Sequence, residues 1–319
     1  MKRLVAAPLA LIASLLLLGT AHAADKVRAA KAVPVAWSFV PLDVGQEAGI
    51  WVKYGIDIEI SALAGDAKLQ QALAANSLDF GLGSGPGMAF AAKGAPAIAV
   101  AAFAGEPRNL AVVVGEDSPI KTVADLKGKL LAVTTTGSLT EWLAKRLSID
   151  EGWGPDGVKI AALGSFEAFM AALRTHEIDG MMLAVEAGYG LEEKHAGRII
   201  VGMDRYAPHF HTHVVYTRRE LIKDNPALVK RFLQAFFASI AYMKAHREET
   251  IQISMKVLNQ SRAAMEKTYD YEISMLLDDG HFDPEAIKVL KDSYVEMGML
   301  PVRPRDDQIF DAEFVPVKP

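Results

Sequence analysis

Cysteine is absent from all 319 residues. That absence excludes disulfides, thiolate nucleophiles, cysteine-ligated metals and the lipid-bearing cysteine of an anchored bacterial lipoprotein. A basic surplus is missing as well. The 34 lysines and arginines face 39 acids, a net charge of -5, whereas nucleic acid rewards a basic face. After the first 23 residues no run is long and apolar enough to suggest a membrane-spanning helix.

What is present begins with an export pattern. Lys2-Arg3 supply a positive start, Leu4 to Leu18 an apolar run, and Ala21-His22-Ala23 a small-x-small cleavage signature. Residues 1–23 are therefore read as a signal peptide cleaved after Ala23. Its removal takes the net charge from -5 to -7 and leaves about 296 residues, roughly two domains by length. The expectation is a free periplasmic protein stabilised by its core alone.

Leu69 to Phe90, LQQALAANSLDFGLGSGPGMAF, organises the rest. Leu69 to Ala75 are strong helix formers, and Asn76-Ser77 stops them. Leu78 to Leu82 is a short apolar run bounded by glycine, the pattern of a buried parallel strand. Gly83-Ser84-Gly85-Pro86-Gly87 then turns into a new helix, with proline where its missing N–H does no harm. Such a turn leaves N–H groups at a positive helix end, where a small polar or anionic ligand settles. A second copy lies one hundred residues on. Ala72 and Ala172, Leu73 and Leu173, Leu78 and Ile178, Asp79 and Asp179 fall in step. Two similar α/β units suggest two similar lobes with a ligand crevice between them.

Taken in order, Val33 to Ala36 reads as a strand running into Trp37-Ser38-Phe39. Val44 to Lys53 reads as helix, and Ile56 to Ile60 as a half-exposed strand by its alternation. Asp66 suits the N-cap of the next helix. Ile98 to Phe103 is an apolar strand, so β and α segments alternate as in a mostly parallel sheet. Ala104 to Arg108 breaks the rhythm. Leu130 to Val133 then runs into Thr134-Thr135-Thr136-Gly137-Ser138 and a helix, a second hydroxyl- and glycine-rich turn. Strands follow at Val158–Leu163, Gly180–Val185 and Ile199–Met203, with a returning strand at His213–Thr217. From Glu220 the chain is helical up to a proline-spaced tail.

These residues resemble a known family. Gly49-Ile50-Trp51-Val52-Lys53-Tyr54-Gly55, Ala72-Leu73, Leu78-Asp79-Phe80-Gly81 and Gly94-Ala95-Pro96 look like the sulfonate/nitrate/thiamine-precursor group of periplasmic substrate-binding proteins. So do Asp125-Leu126-Lys127-Gly128-Lys129 before a strand and a Thr/Gly/Ser turn, and the helix start Asn225-Pro226-Ala227-Leu228-Val229. The likeness covers nearly all of the chain after the signal. It implies the type II periplasmic binding fold: two α/β lobes joined by two crossovers, with a ligand cleft between them. The crossovers would fall near Ala104–Arg108 and Tyr216–Arg219. Lobe one then takes residues 24–105 and 219–319, and lobe two 106–218.

Candidate ligand residues follow from strand ends and turns. Trp37, Ser38 and Phe39 follow the first strand at the edge where open α/β sheets bind ligands. Gly83-Ser84-Gly85 and Thr135-Thr136-Gly137-Ser138 would face each other from opposite lobes, and the resemblance points to the same two turns. Arg108, beside the presumed hinge, would suit an anionic ligand. Glu186, with Tyr189, would suit a cationic or hydrogen-donating one, and the sequence leaves that conflict open. Asp79 and Asp179 are read as structural acids capping N–H groups. His209-Phe210-His211-Thr212-His213 is the one metal-like string, since alternate strand residues share a face. Without nearby cysteine or acid it is read as a polar strand face and no metal is expected, with Phe210 or His211 offered instead to the pocket.

The function these features imply is an extracytoplasmic solute-binding protein without catalysis. It would be a monomer that carries a small organic molecule (a sulfonate, a pyrimidine or an aromatic or nitrogenous compound) to the permease and ATPase of an ABC importer. It would need no cofactor and no nucleic acid. A pyrimidine-synthase-like enzyme of the same wider superfamily is one alternative, though that chemistry places iron near a cysteine-rich motif. A periplasmic sensor input of the same fold is another.

Overall fold

The computed structural model describes residues 24–318, so the signal peptide and its cleavage after Ala23 lie outside the described residues. Among the described residues ten strands form two sheets. They are β1 (Asp25–Lys31), β2 (Ile56–Ala62), β3 (Phe80–Ser84), β4 (Ala97–Ala104), β5 (Leu110–Gly115), β6 (Leu130–Val133), β7 (Lys159–Ala162), β8 (Gly180–Ala184), β9 (Gly197–Gly202) and β10 (His213–Arg218). One sheet runs β2-β1-β3-β10-β4 and the other β7-β6-β8-β5-β9. Each sheet is the core of an α/β lobe. No helix among the described residues is long and apolar enough to cross a membrane.

The two sheets are twins. In each, three parallel strands are followed by an antiparallel fourth, β10 in one and β5 in the other. Both fourth strands are the first the chain forms after passing from one sheet to the other. The sheets are mixed: four strands of each run one way, mostly parallel as expected, and the incoming strand runs against them. Two expectations change. β10 belongs to the first sheet, paired with β3 and β4. The second crossover therefore precedes His213 and does not fall at Tyr216–Arg219, and residues 213–218 leave lobe two. The first strand is also Asp25–Lys31, not Val33–Ala36, because Asp25 to Lys31 find ladder partners in β2 while residues 33–36 form the loop beyond.

The repeat at one hundred residues is structural as well. Helix Asp66–Ala74 leads into β3, and helix Phe166–Arg174 into β8. Asn76 and His176 take the same left-handed turn, φ 54° and 57°. Asp79 then accepts the Arg28 N–H of β1 at 2.9 Å, and Asp179 the Leu130 N–H of β6 at 2.8 Å. These acids are structural, and they reach a neighbouring strand instead of their own turn.

Burial fixes the rest. Phe80 of β3 stacks on Phe232 of helix Pro226–Ala245 with centroids 3.7 Å apart, and Trp51 lies against the same ring. Leu69 presses so closely on β3 that a Cβ at Gly81 would come within 2.8 Å of its side chain. The helix therefore sits directly on the strand, and Ser84 at the strand's end is brought to the start of that helix. Along the far edge of the first sheet, the tail bridges β4 at Ala99 and Phe310.

Candidate functional site

A cavity of about 390 Å³ lies between the lobes, beyond the carboxyl ends of the parallel strands of both sheets. Lobe one contributes the loops after β1 (residues 32–36) and β2 (residues 62–66), together with Phe39 and Ser84. Lobe two contributes Asn109 and Leu110 at the start of β5, Thr134, Leu139 and Thr140 after β6, residues 164–167 after β7, and Met182 to Ala184 of β8. Val33, Phe39, Leu63, Leu110, Phe166 and Phe169 make most of the wall apolar. A site of this size and lining suits a small organic body with a few fixed polar contacts.

Those polar contacts have defined geometry. Asp66 begins helix Asp66–Ala74 just after its cap, Gly65. Its carboxylate accepts the Ser84 N–H at 2.8 Å and the Ser84 hydroxyl at 2.9 Å. The Leu139 N–H of lobe two also favours the charged form of this carboxyl. Burial raises the Asp66 carboxyl, and these donors oppose the shift. Sequence reasoning placed Asp66 at the cap. The cap is Gly65, at φ 103°, which turns the acid inward. Asn109 donates its amide to Ser38 Oγ at 3.1 Å and contacts His213 Nε2 at 2.9 Å, while its buried Oδ1 has no hydrogen-bond partner. Burial pulls the His213 imidazole down to about 3, so it is neutral at physiological pH. Among the described residues no lysine or arginine lines the cavity, whereas Asp66 and Glu167 both do.

Of the residues proposed from sequence, Phe39 and Ser84 line the cavity. Trp37 does not: its ring is fully buried edge-on to Tyr269 at 5.9 Å, with Nε1 bonded to Ser254 Oγ at 3.0 Å. Ser38 stands behind Asn109. Gly83 and Gly85 are glycines because a Cβ would meet Leu69 and Asp66 at the first and the His211 carbonyl at 2.0 Å at the second. In the other turn, Thr135 packs against Gly65, Gly137 lies under the Phe90 ring, Thr136 is exposed, and Ser138 caps helix Leu139–Asp150. That turn seals the seam between the lobes, and its flanks, Thr134 and Thr140, reach the cavity.

The remaining candidates lie apart from the cavity. Arg108 pairs with Glu106 at 3.6 Å and lies over Tyr271, partly exposed. Tyr189 is half-buried under the Lys267 ammonium. Phe210 stacks on Trp142 at 4.3 Å. His211 accepts the Asp283 N–H at 2.8 Å, and burial lowers its imidazole to about 4. His209 is exposed in a left-handed turn, so the three imidazoles of the string never share a face. Among the described residues no three His, Cys, Asp or Glu come together as metal ligands. The conflict between Arg108 and Glu186 dissolves, since neither lines the cavity.

Glu186 instead sits in the seam, fully buried, and its Oε1 accepts the Trp37 N–H at 2.5 Å. Glu272, at the end of helix Arg262–Glu272, is equally buried, and neither of its oxygens has a partner. Burial raises the Glu186 carboxyl to about 7, against the two backbone N–H groups that hold it down. It raises Glu272 well above its ordinary value, with the neighbouring Glu186 adding to the effect. Trp142 Nε1 also donates to Ser293 Oγ at 2.7 Å, and Ser261 Oγ to Glu193 at 2.9 Å. With Trp37–Glu186 and Ser38–Asn109, these bonds join the lobes and shut the cleft.

The residues that sequence reasoning missed were Asp66, Asn109, Thr134, Thr140, Ser165, Phe166, Phe169 and His213. One signal for them existed. The same offset of one hundred residues that pairs Asp79 with Asp179 pairs Ala64-Gly65 with Gly164-Ser165, and both loops line the cavity.

Comparison with known proteins supplies the family and the fold. A family model described as NMT1/THI5 like matches residues 37–250. A Brucella abortus protein provisionally named a binding protein is 24% identical over 288 residues, 86% of this chain and 88% of that one. The alkanesulfonate-binding protein SsuA of Xanthomonas axonopodis pv. citri, solved with MOPS, superposes with a TM-score of 0.75 at 18% identity. It covers 89% of this chain and 96% of its own. The ligand-binding component of an ABC-type import system from Staphylococcus aureus, solved with zinc bound, gives 0.77 at 16% identity. It covers 92% of this chain and 99% of its own.

Proposed function

This chain belongs to the NMT1/THI5-like family, and on that premise we propose that it is an extracytoplasmic solute-binding protein whose lobes close on a small organic molecule. The observation that carries this reading is the cavity itself, built from strand ends of both lobes and closed by hydrogen bonds across the seam. The bound molecule is handed to the permease and ATPase of an ABC importer, as the Staphylococcus aureus neighbour's role suggests. Closure by hinge motion about two crossovers is a known response of such two-lobed folds.

The chemistry of the cavity favours binding over catalysis. Ser84 donates its hydroxyl to Asp66 and not to an imidazole, and His213 faces the Asn109 amide. Among the described residues the cavity therefore holds no hydroxyl–histidine pair of the kind that generates a nucleophile. Apolar walls, two acids and no cation suit a ligand with a flat or apolar body and a hydrogen-donating group. The test is ligand-induced thermal shift of the purified protein over uncharged heterocycles, amines, sulfonates and nitrate, followed by calorimetry on each hit. A micromolar or tighter uncharged or amine-bearing hit supports the proposal. Turnover of that hit, or the lack of any hit across the library, overturns it.

A further inference from the structure

Two positive helix ends meet at one wall of the cavity. Helix Asp66–Ala74 starts in lobe one, and helix Leu139–Asp150 in lobe two. The approach is close: a Cβ on Gly65 would stand 2.6 Å from the Thr135 side chain. Converging N–H groups at helix starts attract an anion, which is why such places hold phosphate or sulfonate groups so readily. Here the chain brings its own. Asp66, 5% exposed, takes the Ser84 N–H and hydroxyl and faces the Leu139 N–H. No lysine or arginine lines the cavity to balance a second negative charge, and Glu167 adds one from lobe two. The Asn109 amide, 1% exposed with an unpartnered Oδ1 and lining the same cavity, marks a separate polar contact for a ligand.

We propose that Asp66 is a specificity-determining residue: a tethered internal carboxyl that occupies the Ser84 donors, beside the start of helix Leu139–Asp150, and so bars oxyanionic solutes from the cavity. This rests on reading the cavity as a binding site. An uncharged ligand leaves the Asp66–Ser84 pair intact and uses the Asn109 amide and the apolar walls. A sulfonate or nitrate would have to compete with a tethered carboxylate for the same donors, in a site with nothing to neutralise it.

The experiment compares wild type with Asp66→Ser, which frees the donors, and with Asp66→Asn, which keeps the shape and removes the charge. Methanesulfonate and nitrate are titrated by calorimetry, with the best uncharged hit of the library as reference ligand and circular dichroism as the check on folding. The expected result is no oxyanion binding by wild type, and at least a tenfold gain in methanesulfonate affinity for Asp66→Ser. Asp66→Asn should show a smaller gain of the same sign. Wild type that binds methanesulfonate as tightly as the variants overturns the proposal. So does a folded Asp66→Asn or Asp66→Ser with no gain. If the reference ligand still binds wild type, only the role of Asp66 has failed. If nothing binds any form, the binding reading has failed with it.

Discussion

The buried pair Glu186 and Glu272 makes stability depend on pH in a calculable way. Burial raises the Glu186 carboxyl from an ordinary 4.5 to about 7, so between those values the folded protein keeps a proton that the unfolded chain releases. An acid shifted upward costs nothing below pH 4.5, where both states are protonated, and its full cost is present above about pH 7. At about 1.36 kcal/mol per pKa unit the cost is about 3 kcal/mol. Glu186→Gln removes the ionisable group while its amide oxygen still accepts the Trp37 N–H. The variant should therefore melt roughly 5–10 °C above wild type at pH 8, with the gap closing by pH 5. The histidines pull the other way. His211 and His213, lowered to about 4 and about 3, stay neutral in the folded state, so stability is lost as pH falls below about 6.5. Both variant and wild type carry them, and the difference between the two melting curves removes their effect. The assay is differential scanning calorimetry of both proteins from pH 5 to pH 8. A gap no larger at pH 8 than at pH 5 would refute the argument, because it would mean that Glu186 is not held protonated in the seam.

Asn109→Ala should weaken binding of whichever ligand the screen returns by about 1–3 kcal/mol, roughly 5- to 150-fold, because its amide is a buried polar contact in the cavity wall. Arg108→Ala should leave that affinity within twofold, since Arg108 pairs with Glu106 away from the cavity; calorimetry on both variants decides. Phe232→Ala, which deletes the ring stacked at 3.7 Å on Phe80, should cost about 3–5 kcal/mol in urea denaturation. Val52→Ala, at a side chain 73% exposed, should cost almost nothing.

The parts of the fold legible in sequence are those whose cause is local. The echo between Asp79 and Asp179 was visible because a helix stop, a left-handed residue and an acid repeat in order, and each does the same work in both lobes. The first crossover was visible because Glu106-Pro107 interrupts a strand rhythm, and β4 does end at Ala104. The second was misplaced because His213 to Arg218 is a buried strand whichever sheet receives it. Only pairing with β3 and β4, far away in sequence, decides its membership. β1 was overlooked because Lys26 and Arg28 break its apolar pattern, while the more apolar Val33 to Ala36 proved to be cavity wall.

The site was less legible for a reason that runs through all its errors. The turns that build it were recognised, but not which atoms of each turn face inward. That depends on close packing against residues distant in sequence: Leu69 on Gly83, the His211 carbonyl on Gly85, Gly65 on Thr135. Such contacts push whole turns into the wall and leave a single side chain, Ser84, or only the flanks, Thr134 and Thr140, to reach the ligand space. Acids were the hardest to place, because a charged residue in sequence is by default a surface residue. Asp66, Glu186 and Glu272 are 5%, 1% and 0% exposed, and nothing in their neighbouring residues announces it. A buried acid needs donors, a shared proton or a partner charge. Asp66 finds its donors 18 residues away on Ser84, and Glu186 finds its own 149 residues away on Trp37. A charge that only the tertiary fold can satisfy is invisible to local pattern, yet it is the kind of group able to decide what the cavity admits and at which pH the lobes hold together.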